Sequence, residues 1–71
     1  NMAKIKNIIV YDVWVLVWEE DTKIIKMNKF IDNGSIGTSQ KVFIGETKQD
    51  IEDKIKELGL LTLKEYKKLN K

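Results

Sequence analysis

The stretch IIVYDVWVLVW, residues 8–18, is eleven residues long and carries one charge, Asp12. Six of its residues are Val or Ile, and three are Trp or Tyr. Side chains branched at Cβ and large aromatics fit a pleated surface better than a helix, so the stretch reads as a β-strand. It is too short for a membrane-spanning helix, which needs about 20 apolar residues. Alternation would place Ile8, Val10, Asp12, Trp14, Leu16 and Trp18 on one face, and Ile9, Tyr11, Val13, Val15 and Val17 on the other. Neither set is polar, unlike an antiparallel strand with one wet face. Both faces therefore need cover.

The length of the strand sets a second condition. Eleven extended residues reach about 36 Å at ~3.3 Å each. A compact chain of this size has a radius of gyration of about 11 Å. The strand is expected to bend, at a bulge near Asp12, or to project at one end and pair with another molecule.

Outward from this strand the chain is punctuated clearly. EEDTK (19–23) suits a hairpin loop, and KIIKMNKFI (23–31) reads as a second strand with apolar residues on both sides. DNGSIGTSQ (32–40) is expected to be a loop, because Asn33-Gly34 is a strong turn signal. KVFIG (41–45) reads as a short third strand. Then the period changes. Ile51, Ile55 and Leu58 fall at i, i+4 and i+7, one stripe of a helix. Thr47 is placed to cap it, Asp50 lies in its first turn and Gly59 suits its end. Asp50–Lys54 and Glu52–Lys56 are spaced to pair on its outer side. Thr62 and Glu65 form a second capping box ahead of the stripe Leu63, Tyr66, Leu69. The expected fold is α+β: a three-stranded antiparallel β-meander followed by two short helices packed on one face, β-β-β-α-α. It forms one small domain over residues 2–71, with Asn1 read as a leftover ahead of a natural start at Met2.

Composition excludes more than it reveals. The 71 residues include no Cys, His or Pro, and all 13 basic residues are Lys, with a net charge of +2. Without His, Cys or Arg there is no imidazole for acid–base work, no thiolate and no guanidinium clamp. A metal site would have to be all oxygen, and the acids are scattered along the chain. No enzyme, cofactor or metal is expected. Asp12, alone in an apolar strand, is a candidate general acid or base. The plainer reading is an inward charge that blunts a sheet edge, or an acid paired with a Lys of the second strand. GSIG (34–37) contains a G-x-x-G, which clamps nucleic-acid backbone when it joins two helices. Between strands it reads as turn chemistry. No signal peptide or membrane span is visible, so the expected setting is cytoplasmic.

The functional expectation follows from the uncovered strand. Two helices with narrow stripes cover one sheet face, leaving the other as an apolar patch larger than a monomer normally shows. A second copy is the expected cover, since two-fold dimers are the commonest assembly. Face-to-face packing and edge pairing are both open, and the alternative is a sheet that curls, or a terminal helix that swings across, to hide its own second face. Tyr11, Trp14, Val15, Leu16 and Trp18 are the candidate interface residues. The chain is thus expected to be a non-enzymatic protein–protein interaction module forming a homodimer, of a kind suited to a small phage-encoded inhibitor of a host protein. The runner-up is a nucleic-acid-binding accessory protein, with Lys23, Lys26, Lys29 and Lys41 tracking phosphates.

Overall fold

The computed structural model describes residues 6–69. Met2, Lys71 and the side chains of Ile8 and Ile9 lie outside what it describes. The elements are β1 (Lys6–Trp18), β2 (Ile25–Thr38), β3 (Lys41–Gly45), α1 (Lys48–Leu58) and α2 (Leu63–Leu69). The fold is α+β, with three antiparallel strands followed by two helices.

Two features differ from the sequence expectation. The strand order is β2-β1-β3, so the third strand pairs with β1 and not with its predecessor, as a meander would require. And β2 runs straight through the expected loop, as far as Thr38. Asn33 pairs with Tyr11, Gly34 with Val10 and Ile36 with Ile8. Gly34 is not among the residues with positive φ, so it makes no hairpin turn. Turn propensity is local, and here the long partner strand overrides it.

Pairing makes the shape of β1 a matter of geometry. Thr38 pairs with Lys6, and Lys41, three residues on, pairs with Trp18. Three residues span at most about 11 Å. Adding about 5 Å for each ladder step leaves the two ends of β1 no more than about 22 Å apart. A straight β1 would hold them about 40 Å apart at ~3.3 Å per residue. The strand must fold back on itself.

The corner is at Asp12. Its φ is 52°, in the left-handed region, and the β1–β2 ladder skips Asp12 and Asp32 between the pairs Tyr11↔Asn33 and Val13↔Ile31. Register is kept across the gap, so this is a corner without an inserted residue. The slip lies elsewhere: Val17 pairs with Met27 but Trp18 with Ile25, which makes Lys26 the extra residue of a bulge. Beyond Asp12 the side-chain sets exchange faces. Val10 and Ile36 join Val15 and Val17 in one buried cluster, with Val13, Met27, Ile31 and Val42 packed against it. Tyr11, which strict alternation would have placed with Val13 and Val15, is 63% exposed.

The two faces of β1 are thus covered by different means. On the first, Leu16 packs with Ile51 of α1 and with Leu60, flanked by Trp14, Trp18, Ile25, Phe43, Ile55 and Leu58. On the second, the distal arm of the β1–β2 ribbon folds over Val15 and Val17. Val15 and Leu16, neighbours pointing opposite ways, are both 0% exposed within the single chain. Holding a non-glycine residue left-handed costs about 1–2 kcal/mol, less for Asp. Burying one large apolar side chain returns about 1.5–3 kcal/mol, and the arm buries several, so the corner is favourable.

The helices begin where their caps predict. Thr47 and Asp50 form a reciprocal capping box, and Gly59 ends α1 at φ 67°. Asp50 is occupied there, and among the described residues the ion pairs are Lys54–Glu57 and Lys41–Glu20, not the expected Asp50–Lys54 and Glu52–Lys56. Thr62 and Glu65 cap α2 in the same reciprocal way. Only α1 packs on the sheet as a helix should; α2 contributes no buried residue, and Leu63 and Leu69 are 51% and 72% exposed.

Asp12→Gly is expected to leave the protein equally or more stable, because glycine takes positive φ freely. Asp12→Val should cost about 1–2 kcal/mol relative to the glycine variant. Urea denaturation of the pair checks this; equal midpoints would mean that the corner does not demand a left-handed residue.

Candidate interaction surface

With both faces covered, what the sheet leaves unpaired among the described residues is its edges. β3 is five residues long and has β1 on one side. Among the described residues no strand pairs with its other side. The opposite edge, that of β2, is covered at one end only, and among the described residues its outer side beyond Ile25 has no strand partner either. Near its start β2 is bridged by Leu61, whose N–H donates to the Lys23 carbonyl at 2.9 Å and whose carbonyl accepts from Ile25 N–H at 2.8 Å.

Each β3 residue has a distinct setting. Val42 and Ile44 lie opposite Val17 and Val15, on the side of the folded arm, and Ile44 is 39% exposed. Phe43 lies opposite Leu16 on the helix side, with the Lys54 ammonium 4.7 Å from its ring centroid. Gly45 is buried, and a Cβ there would lie 2.8 Å from Asp50 Cβ and 3.3 Å from the Phe43 ring. The chain approaches α1 so closely because the Asp50 carboxylate accepts from the Glu46 and Thr47 N–H groups, each at 3.1 Å. The edge is therefore basic at its start, with Lys41, and acidic at its end, with Glu46 and Asp50.

The residues singled out from sequence are dispersed. Val15 and Leu16 offer no side-chain surface in this fold. Trp14 and Trp18 are half-buried beneath α1, and Trp14 meets Phe30 edge-on at 5.9 Å between ring centres. Tyr11 alone of the five is largely exposed. Asp12 is exposed at the corner, where its backbone conformation accounts for its position in the strand. Among the four lysines, Lys23 holds a left-handed position (φ 66°) in the β1–β2 turn, and Lys26 is the bulge residue. Lys29 stands opposite Val15 on β2, whereas Lys41 is on the far edge, 3.9 Å from Glu20. The strand order separates Lys41 from the others, and Lys41 borders a polar cleft of about 430 Å³ with Glu19, Glu20, Asp21, Thr22, Ser39 and Gln40. Among the described residues no group of three or more acids is placed to hold a metal ion, and no helix is long and apolar enough to cross a membrane. The sequence reading did not single out β3 as an edge strand; the signal available was only the brevity of KVFIG beside two longer apolar strands.

Comparison with known families, curated proteins and solved structures finds no match to this chain.

Gly45→Ala should be markedly destabilising, since the new methyl meets the base of a capping residue and not the tip of a flexible chain. Thermal unfolding is expected to show a loss larger than the typical ~1 kcal/mol of a removed helix cap, with Thr47→Ala as the internal comparison. A smaller effect at Gly45 than at Thr47 would show that the β3–α1 junction has room to spare.

Proposed function

We propose that this chain is a non-enzymatic protein–protein interaction module that self-associates through its sheet, and that the contact is made at the open edge of β3. One observation carries the reading: β3 presents a row of backbone N–H and C=O groups on a strand that is apolar at its centre, while both faces of the central strand are already hidden inside one copy. An unpaired edge is a ready template for another strand, and soluble proteins usually shield such edges with charge, proline or a covering loop. Here Lys41 is the only charge within the strand, and the chain has no proline.

Of the two contacts left open by the sequence, face-to-face packing loses its physical basis, because the folded arm covers the patch that needed a neighbour. Strand addition does not require that patch; main-chain hydrogen bonds supply affinity and alternate side chains supply selectivity. The residue types absent from the chain, His, Cys and Arg, support the non-enzymatic part of the reading. A cytoplasmic setting belongs to it as well, since a chain without cysteine has no need of an oxidising compartment.

Light scattering over a range of concentrations should give a mass above 8.3 kDa that rises towards twice that value. Ile44→Lys, which puts a charge on the edge at a partly exposed site, should return the protein to a single copy without unfolding it. Phe30→Lys, on β2, should not. A single-copy mass for the unaltered protein at every concentration sinks self-association, and retention on nucleic acid that vanishes with added salt would favour a phosphate-binding role instead.

A further inference from the structure

We infer that two copies pair their β3 strands antiparallel about a two-fold axis through Phe43, making one continuous sheet across both. This rests on the reading of the β3 edge as the contact surface, and adds the register and the residues that fix it.

Length selects the axis first. β3 runs from Lys41 to Gly45, with Phe43 at its centre, so among antiparallel registers only the one centred on Phe43 matches all five residues with all five of the partner. Lys41 then faces the partner's Gly45, Val42 faces the partner's Ile44, and the two Phe43 residues face each other.

Side-chain chemistry agrees with that register. Val42 and Ile44 share the arm side of the sheet, so the axis creates two apolar cross-strand pairs there and covers the partly exposed Ile44. On the helix side, Lys41 meets a residue with no side chain of its own. The space a Cβ would take at Gly45 is bordered by Asp50, whose Oδ2 is 3.6 Å from that position. A lysine passing over Gly45 thus comes alongside the Asp50 carboxylate. Lys41 has little to hold it at home: its nearest counter-charge is Glu20 at 3.9 Å, with both side chains more than half exposed. The edge is positive at one end and negative at the other, so antiparallel pairing joins opposite charges and parallel pairing joins like ones. Lys54, above each Phe43 near the axis, carries its own counter-charge in Glu57 at 3.1 Å.

The register can be read covalently, because the chain has no cysteine and any disulfide must join two copies. Val42→Cys and Ile44→Cys are prepared separately, mixed in equal amounts and oxidised at a concentration where the unaltered protein is paired. Directly opposed residues lie about 4.5–5.5 Å apart at Cα, within the 4.4–6.8 Å a disulfide accepts. In this register each Cys variant paired with itself would place the cysteines at diagonal positions, about 7–8 Å apart. The expected result is a covalent dimer containing one of each variant, with little from either alone. On the unaltered chain, mixed labelled and unlabelled copies should show an intermolecular Val42–Ile44 methyl contact by isotope-filtered NMR, which guards against a variant that fails to fold. Self-crosslinking of Ile44→Cys, or an associated protein lacking the methyl contact, would overturn the register while leaving self-association standing. A single-copy mass throughout would overturn both.

Discussion

Three residues along the chain carry it from one end of β1 to the other: Thr38 is paired with Lys6, and Lys41 with Trp18. No straight strand permits this. The short connection at Ser39-Gln40 acts as a strap that forces the β1–β2 ribbon to fold over at Asp12. It is held where it lands, since the Gln40 side-chain amide donates to Glu19 at 3.4 Å and the Gln40 N–H donates to Thr38 Oγ1 at 3.0 Å. From that strap follow the left-handed Asp12, the exchange of faces beyond it and the burial of Val15. β1 is thereby left central, paired on both sides over Trp14–Trp18.

A small domain has few ways of hiding a strand that is apolar on both faces. A second layer of helix is the usual one, and α1 supplies it for Leu16. Among the described residues there is no further helix to spare, because α2 contributes no buried residue. It uses its own sheet as the second layer. The cost is confined to one left-handed residue and an interrupted ladder, and Asp is among the residue types that tolerate that conformation best. What remains open after both faces are closed are the sheet's edges, and an edge offers directed backbone hydrogen bonds where a face offers only area.

Much of this was legible in the residues themselves. The three strands, the EEDTK turn and both helix caps follow from local rules, because Thr47, Asp50, Gly59, Thr62 and Glu65 act within a few residues of one another. The bend near Asp12 was legible too, from the mismatch between strand length and domain size. Lost to sequence reading were the features set by distant partners. Asn33-Gly34 has the chemistry of a turn and is held extended by Val10 and Tyr11. The order β2-β1-β3 depends on where the folded arm delivers Lys41, which no local pattern encodes. Two of the interface candidates, Val15 and Leu16, lie in the core, and for Val15 the reason is the same: it is an exposed face on a flat strand and a core residue on a folded one.

The strap has one more consequence, for how the molecule comes apart. Because Thr38 and Lys41 are tied to opposite ends of β1, the complete outer ladder and the complete β3 ladder exist together only while the arm is closed. The arm, β3 and the cluster around Val15 therefore form one cooperative unit of hydrogen exchange. The α2 segment, which contributes no buried residue, is expected to form a separate unit that opens more readily.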